Sequence, residues 1–133
     1  MKLTFLGSGS AFTLGVENYH SNILIETNKE NILFDCGTTI ADALHYSGYT
    51  PDDIDNIYLT HNHADHNGGL EYIGFKRFFS TFPFGESKPT LISGKNLLKE
   101  TWEESLKGGM KYVAVDNPSL DTFLEQSHLL KVL

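Results

Sequence analysis

The chain has 133 residues, of which 40% are hydrophobic, so one modest core can be buried, and its single cysteine excludes an intrachain disulfide. The net charge of −7 disfavours passive binding to nucleic acid, whose phosphates attract basic side chains. No apolar run approaches the ~18 residues that span a bilayer, and the first residues are typical of a strand rather than a signal peptide. We therefore expect one domain over residues 1–133, located in the cytoplasm and without a membrane partner.

Strands and helices alternate along the chain, which predicts an α/β fold. Short apolar runs rich in β-branched residues predict strands at residues 2–6, 23–25, 32–34, 54–60, 89–92, 112–115 and 129–133. Helices are predicted after Thr38 or Thr39, from Gly68 to about Phe79, and around Leu98, Trp102 and Leu106 up to Gly108-Gly109.

The most informative stretch of the sequence is His61-Asn62-His63-Ala64-Asp65-His66, between a predicted strand and a predicted helix. Imidazole and carboxylate groups are the ligands that hold Zn²⁺ when one position is left for water. In an extended segment residues two apart point the same way, so His61 and His63 can reach one metal ion together. Asp65 and His66 follow as the backbone turns, and they can address a second ion. A histidine-rich surface loop is the alternative, but this ordered cluster at a strand end favours a metal site.

The cluster resembles the His-x-His-x-Asp-His hallmark of the metallo-β-lactamase superfamily of metal-dependent hydrolases. Segments 5–12, 21–26 and 35–37 are similar to the branch that contains tRNA 3′-processing endonucleases and related phosphodiesterases. The resemblance covers residues 1 to about 80 and implies an αββα sandwich, of which this chain would be only the N-terminal half.

The resemblance also implies roles for single residues. His61 and His63 would bind one zinc ion, and Asp65 and His66 a second, with manganese or iron left open as alternatives. Asp65 would be catalytic as well, because it would orient the attacking water. Asp35 matches an early aspartate that supports the ligand loop from behind it, where a hydrogen bond can orient an imidazole. A plain turn residue at the strand end is the alternative for Asp35.

The superfamily pattern also needs two later histidines and a bridging aspartate, and this chain does not supply them all. Only His128 follows the motif, so it is either a further metal ligand or part of an ordinary helix-to-strand junction. Asp116 and Asp121 both precede His128, so neither stands where the bridging aspartate is expected. The chain is therefore expected to be the N-terminal half of a longer protein, a protein completed by another chain, or a reduced form without catalysis.

These observations favour a metal-dependent hydrolase that cleaves a phosphodiester or another small substrate with a zinc-activated water. The alternative is an inactive fragment or an interaction module that holds at most one structural metal ion. The apolar run at residues 129–133 would leave an open strand edge, which predicts a homo-oligomer or a partner that supplies the missing half. Whether nucleic acid is bound stays open.

Overall fold

The computed structural model describes residues 1–80, 88–114 and 131–132, which form a sheet with helices packed on it. The strands are β1 (Lys2–Gly7), β2 (Asn22–Glu26), β3 (Asn31–Phe34), β4 (Asn56–Tyr58), β5 (Thr90–Ile92) and β6 (Lys131–Val132). The helices are α1 (Ile40–Tyr46), α2 (Ala64–Asn67), α3 (Leu70–Ser80), α4 (Lys95–Glu100) and α5 (Lys107–Ala114), with a 3₁₀ turn at Pro51–Asp53 and a π-helical turn at Thr101–Leu106. The expected α/β class is confirmed.

The six strands lie in one sheet in chain order. β1, β2 and β3 pair antiparallel, whereas β3, β4, β5 and β6 pair parallel. A parallel pair needs a crossover connection, and helices supply it between β3 and β4 and between β4 and β5. This topology brings the carboxyl ends of β3, β4 and β5 to one edge of the sheet.

One face of the sheet forms the core against the helices. Four residues in register on neighbouring strands are fully buried on this face: Leu24, Leu33, Ile57 and Leu91. They belong to the same hydrophobic cluster as Ile40 of α1, Ile73 of α3 and Trp102 of the π-helical turn. Burial of each large apolar side chain contributes about 1.5–3 kcal/mol, so these contacts stabilise the packing of the helices on the sheet.

The opposite face of the sheet also carries an apolar row, because side chains alternate along each strand. Register partners across five strands on this face are Phe5, Ile23, Phe34, Tyr58 and Ile92. Phe5 remains 68% exposed and Tyr58 40% exposed. A sheet with helices on one face and a second apolar face corresponds to one half of the expected sandwich.

The third predicted helix is longer than the sequence pattern indicated. The predicted stop at Gly108-Gly109 and the predicted strand from Tyr112 are both wrong, since α5 continues to Ala114. Met110 extends the buried stripe by one further turn, and its burial of about 1.5–3 kcal/mol offsets the roughly 1 kcal/mol that each helical glycine costs. A Cβ atom on Gly109 would meet the carboxylate end of the flexible Glu71 side chain, so α5 passes close to Glu71 of α3 at this position.

Arg77 ties α3 to the turn before β4. Its side chain is only 8% exposed, and its Nη1 donates to the carbonyl oxygens of Pro51, Asp52 and Ile54 at 3.1, 3.0 and 2.8 Å. Charge-assisted hydrogen bonds of this kind are among the stronger ones in proteins. None of the helices among the described residues is long and apolar enough to cross a membrane.

Candidate metal centre

The predicted ligands follow β4 at the edge of the sheet where β3 also ends. Phe34 of β3 and Tyr58 of β4 are register partners in a parallel pair, so Asp35 and Thr60 leave the sheet side by side. The Asp35 amide donates to the Tyr58 carbonyl at 2.9 Å, which continues the ladder by one residue. The carboxyl ends of parallel strands are the usual location of ligand sites in α/β proteins.

The motif changes from extended chain to helix in its middle. His63 has an extended backbone and precedes α2, whereas Asp65 and His66 lie inside that short helix. The amides of His66 and Asn67 both donate to the His63 carbonyl at 2.9 Å. The expected turn of the backbone after His63 is therefore confirmed.

The structure brings all four motif side chains together. The His61 ring centroid lies 4.6 Å from that of His63 and 4.0 Å from that of His66. Oδ2 of Asp65 lies 3.2 Å from Nε2 of His66, and the two side chains are 15% and 21% exposed. Three imidazoles and a carboxylate lie within this space, and both groups are donors that zinc binds in proteins. Within the described part of the chain, however, no three such groups are arranged to hold an ion as they stand.

Asp35 lies behind two of the predicted ligands. It is 7% exposed, and its Oδ2 lies 2.8 Å from Nδ1 of His66. Its Oδ1 accepts from the Thr60 amide at 2.8 Å and from the Thr60 hydroxyl at 2.9 Å. The backbone φ of Asp35 is +60°, a left-handed conformation that aspartate tolerates better than most residues. The contact agrees with the expected support of the ligand loop, although the role itself stays a prediction.

Thr60 extends this support to His61, and the sequence reasoning missed it. Its Oγ1 lies 3.0 Å from Nδ1 of His61. If the Thr60 hydroxyl donates its one proton to the Asp35 carboxylate, its oxygen can accept from Nδ1–H of His61. His61 and His66 would then both carry their proton on Nδ1 and keep the Nε2 lone pair for a metal ion. The position of Thr60 directly before the first histidine is the signal that could have revealed it.

Close backbone packing holds α2 against the end of β3. The Cys36 amide donates to the His66 carbonyl at 2.6 Å, and the Gly69 amide donates to the Cys36 carbonyl at 2.8 Å. A Cβ atom on Gly37 would lie 2.1 Å from the Asp65 carbonyl oxygen, so only glycine allows this approach. Cys36 is fully buried, and this burial, with the nearby Asp35 charge, raises the pKa of its thiol well above the ordinary range.

His128, Asp116 and Asp121 lie outside the described residues. The prediction that His128 is a metal ligand therefore stays a prediction, as does the ordinary-junction alternative.

Solved structures with a similar fold include the metallo-β-lactamase fold protein YhfI from Bacillus subtilis. It matches 98% of this chain with a TM-score of 0.65 and 20% identity, over 45% of its own length. A diphosphatase of the PhnP family matches 98% of the chain with a TM-score of 0.60 and 19% identity, over 49% of its length. Human tRNase Z, short form, is 26% identical over 77% of the chain, with a TM-score of 0.54 and 39% of its length covered. The metallo-β-lactamase fold is confirmed.

Curated relatives identify a narrower group than the motifs did. An anti-Pycsar protein Apyc1 from Bacillus phage 010DV004 is 39% identical over 89% of this chain, and one from Paenibacillus sp. (strain J14) is 37% identical over 92%. The chain spans less than half of these relatives, namely 44% and 48% of their length. The family description "Anti-Pycsar protein Apyc1" matches residues 1–131. This chain therefore belongs to the anti-Pycsar protein Apyc1 family.

Proposed function

We propose that this chain provides the motif-bearing half of a metal-dependent hydrolase that cleaves a phosphodiester bond in a small nucleotide. The observation that carries the proposal is the gathering of His61, His63, Asp65 and His66 at one edge of the sheet, with Asp35 and Thr60 bonded behind two of the imidazoles. Because the chain spans less than half of its relatives, the activity is proposed for the whole protein.

Two of the proteins that share the fold support cleavage of a bond to a phosphate group. One neighbour is named as a tRNase and another as a diphosphatase, and both names describe the cleavage of bonds to phosphate groups. A small nucleotide is preferred over a long nucleic acid because the net charge of −7 provides no basic footprint for a polyanion.

The proposed roles follow the positions of the side chains. His61 and His63 would hold one metal ion and Asp65 and His66 a second, with His128 as a further ligand. A bound zinc ion would supply hydroxide at neutral pH, because it lowers the pKa of water to ~7. Asp65 would orient the attacking water. Asp35 and Thr60 would keep the protons of His66 and His61 on Nδ1, which leaves Nε2 of each ring to bind metal.

The binding module that holds at most one metal ion is the second candidate. One observation favours it: of the six histidines in residues 1–133 only His128 follows the motif, which leaves few further ligands for a second ion. Zinc remains the proposed metal, with manganese and iron as alternatives, since histidine and carboxylate ligands suit all three.

The test compares metal content and turnover in three proteins: the unchanged chain, a His61→Ala/His63→Ala variant, and a His45→Ala control. His45 is an exposed histidine on α1, so its loss removes one imidazole without touching the motif. Elemental analysis is expected to find metal in the unchanged chain and the control but not in the double variant. Equal metal in all three would refute the site.

Turnover separates the two candidate functions. The substrates are a dinucleotide, a cyclic mononucleotide and bis(p-nitrophenyl) phosphate. Two metal ions with hydrolysis that the double variant loses would support the hydrolase. At most one ion and no hydrolysis, in this chain and in a relative of full length, would support the binding module.

A further inference from the structure

A buried side-chain amide is bonded to Asn62, the residue between the two histidines that open the motif. Asn67, the last residue of α2, is 4% exposed, although asparagine is rarely buried without a reason. Its Nδ2 donates to Oδ1 of Asn62 and, at 3.1 Å, to Oγ of Ser105. Both donors of the amide group are therefore used within one small cluster.

Ser105 completes a closed ring of three hydrogen bonds. Its hydroxyl donates to the same Oδ1 of Asn62 at 3.4 Å and accepts from Asn67. These bonds are mutually consistent, because Ser105 has one proton to give and Asn67 has two. We call the three residues Asn62, Asn67 and Ser105 the polar clamp.

The polar clamp acts on the middle of the ligand segment. Asn62 stands between His61 and His63, and in extended chain its side chain points opposite to theirs. A bond that holds Asn62 from behind therefore sets the direction of both imidazoles in front. The backbone at the other end of the clamp is also held, because the backbone N–H of Asn67 donates to the His63 carbonyl at 2.9 Å.

The element that carries Ser105 is itself unusual. Ser105 lies in the π-helical turn Thr101–Leu106, and single π turns inside helices occur frequently at functional sites. Trp102 and Leu106 of this turn are buried in the core at 0% and 3% exposure, so the backbone that carries Ser105 is held in place by core packing.

We propose that the polar clamp positions His61 and His63 for metal binding, with Asn67 as its central positioning residue. This inference rests on the proposed metal site but assigns residues that the superfamily motif does not include. Loss of a partner that orients metal ligands typically weakens metal affinity by 10–100-fold, and we expect about 10-fold for Asn67→Ala.

The experiment measures the zinc dissociation constant of the chain by competition with a chromophoric chelator, and the melting temperature of the metal-free protein in parallel. The variants are Asn67→Ala, Asn62→Ala, the double variant and Ser105→Ala, with Asn28→Ala in the exposed turn between β2 and β3 as the matched control. A merely structural role would lower the melting temperature and leave the dissociation constant of the folded protein unchanged.

A positioning role predicts a dissociation constant about 10-fold higher in Asn67→Ala and in Asn62→Ala, and no further increase in the double variant, because both changes remove the same link. Ser105→Ala should give a smaller increase, and Ser105→Thr, which keeps the hydroxyl, should restore the wild-type value. If Asn67→Ala does not fold, Asn62→Ala and the exposed Ser105→Ala carry the same test.

Two results would overturn the inference, and they are distinguishable. Zinc binding by the unchanged chain that stays within twofold in all clamp variants refutes the polar clamp alone. Absence of zinc binding by the unchanged chain and by a relative of full length refutes the proposed metal site, and the clamp with it.

Discussion

Replacement of Asp35 by asparagine is expected to move the ring proton of His66 from Nδ1 to Nε2 without unfolding the protein. Asparagine tolerates the left-handed backbone at φ +60°, and its size is that of aspartate. The Thr60 backbone amide donates to Oδ1 of Asp35 at 2.8 Å, whereas the Thr60 hydroxyl lies within reach of both carboxylate oxygens, 2.9 Å from Oδ1 and 2.8 Å from Oδ2. The amide oxygen of the new side chain will therefore face Thr60, and its NH₂ group will face Nδ1 of His66.

An NH₂ group can only donate, so Nδ1 of His66 must become an acceptor and the ring proton must move to Nε2. That nitrogen is the one that Asp65 approaches at 3.2 Å, and once protonated it cannot bind a metal ion. We expect the affinity for the ion at Asp65 and His66 to fall by 10–100-fold, which corresponds to about 1.4–2.7 kcal/mol. The cost to the free energy of unfolding should be smaller than in Asp35→Ala, where each donor left without a partner costs about 1–3 kcal/mol.

The assay is a two-bond ¹H–¹⁵N spectrum of the histidine rings, which distinguishes the tautomers, combined with a metal titration. The unchanged protein should show His66 protonated on Nδ1, and Asp35→Asn should show it protonated on Nε2. Asp35→Asn with an unaltered His66 spectrum and unaltered metal affinity would refute this reasoning about the tautomer.

Three further changes test the packing around the site. Gly37→Ala should displace the motif backbone and weaken both stability and metal affinity, whereas Gly15→Ala, whose new methyl group meets open space, should leave both unchanged. Equal melting and metal-binding curves for the two variants would contradict the packing argument. Arg77→Ala removes the charge-assisted hydrogen bonds of Nη1, whose two N–H groups are shared among three carbonyl oxygens, and should lower the free energy of unfolding in urea by about 2–4 kcal/mol. The exposed Lys76→Ala should lower it by less than about 0.5 kcal/mol. Cys36 should resist alkylation in the native protein and react once urea unfolds it, since burial raises the pKa of its thiol and blocks access. Because the thiol ionises at lower pH in the unfolded chain than in the folded one, the free energy of unfolding should be unaffected below the ordinary thiol pKa and should fall as the pH rises above it.

Much of the local structure was readable from the sequence. The runs at residues 23–25 and 32–34 became antiparallel strands, and the resemblance of the motif correctly predicted the metallo-β-lactamase fold. Local signals were sufficient there because β-branched apolar runs and the order of ligand residues are properties of consecutive positions.

The end of the third predicted helix shows where local signals failed. Gly108-Gly109 is typical of a helix stop and Tyr112–Val115 of a strand, yet α5 continues to Ala114 and buries Met110 in the core. Burial of Met110, at about 1.5–3 kcal/mol, offsets the roughly 2 kcal/mol that two helical glycines cost, so a contact with a distant element can decide where the helix ends.

The sequence by itself predicted the four side chains of the candidate metal site and determined in which order they follow the strand. Only the tertiary structure decided what stands behind them, because Asp35 reaches His66 across 31 positions and Ser105 reaches Asn67 across 38. Contacts of that separation depend on the parallel pairing of β3 with β4 and on the path of the π-helical turn Thr101–Leu106, and no local sequence pattern predicts either of them.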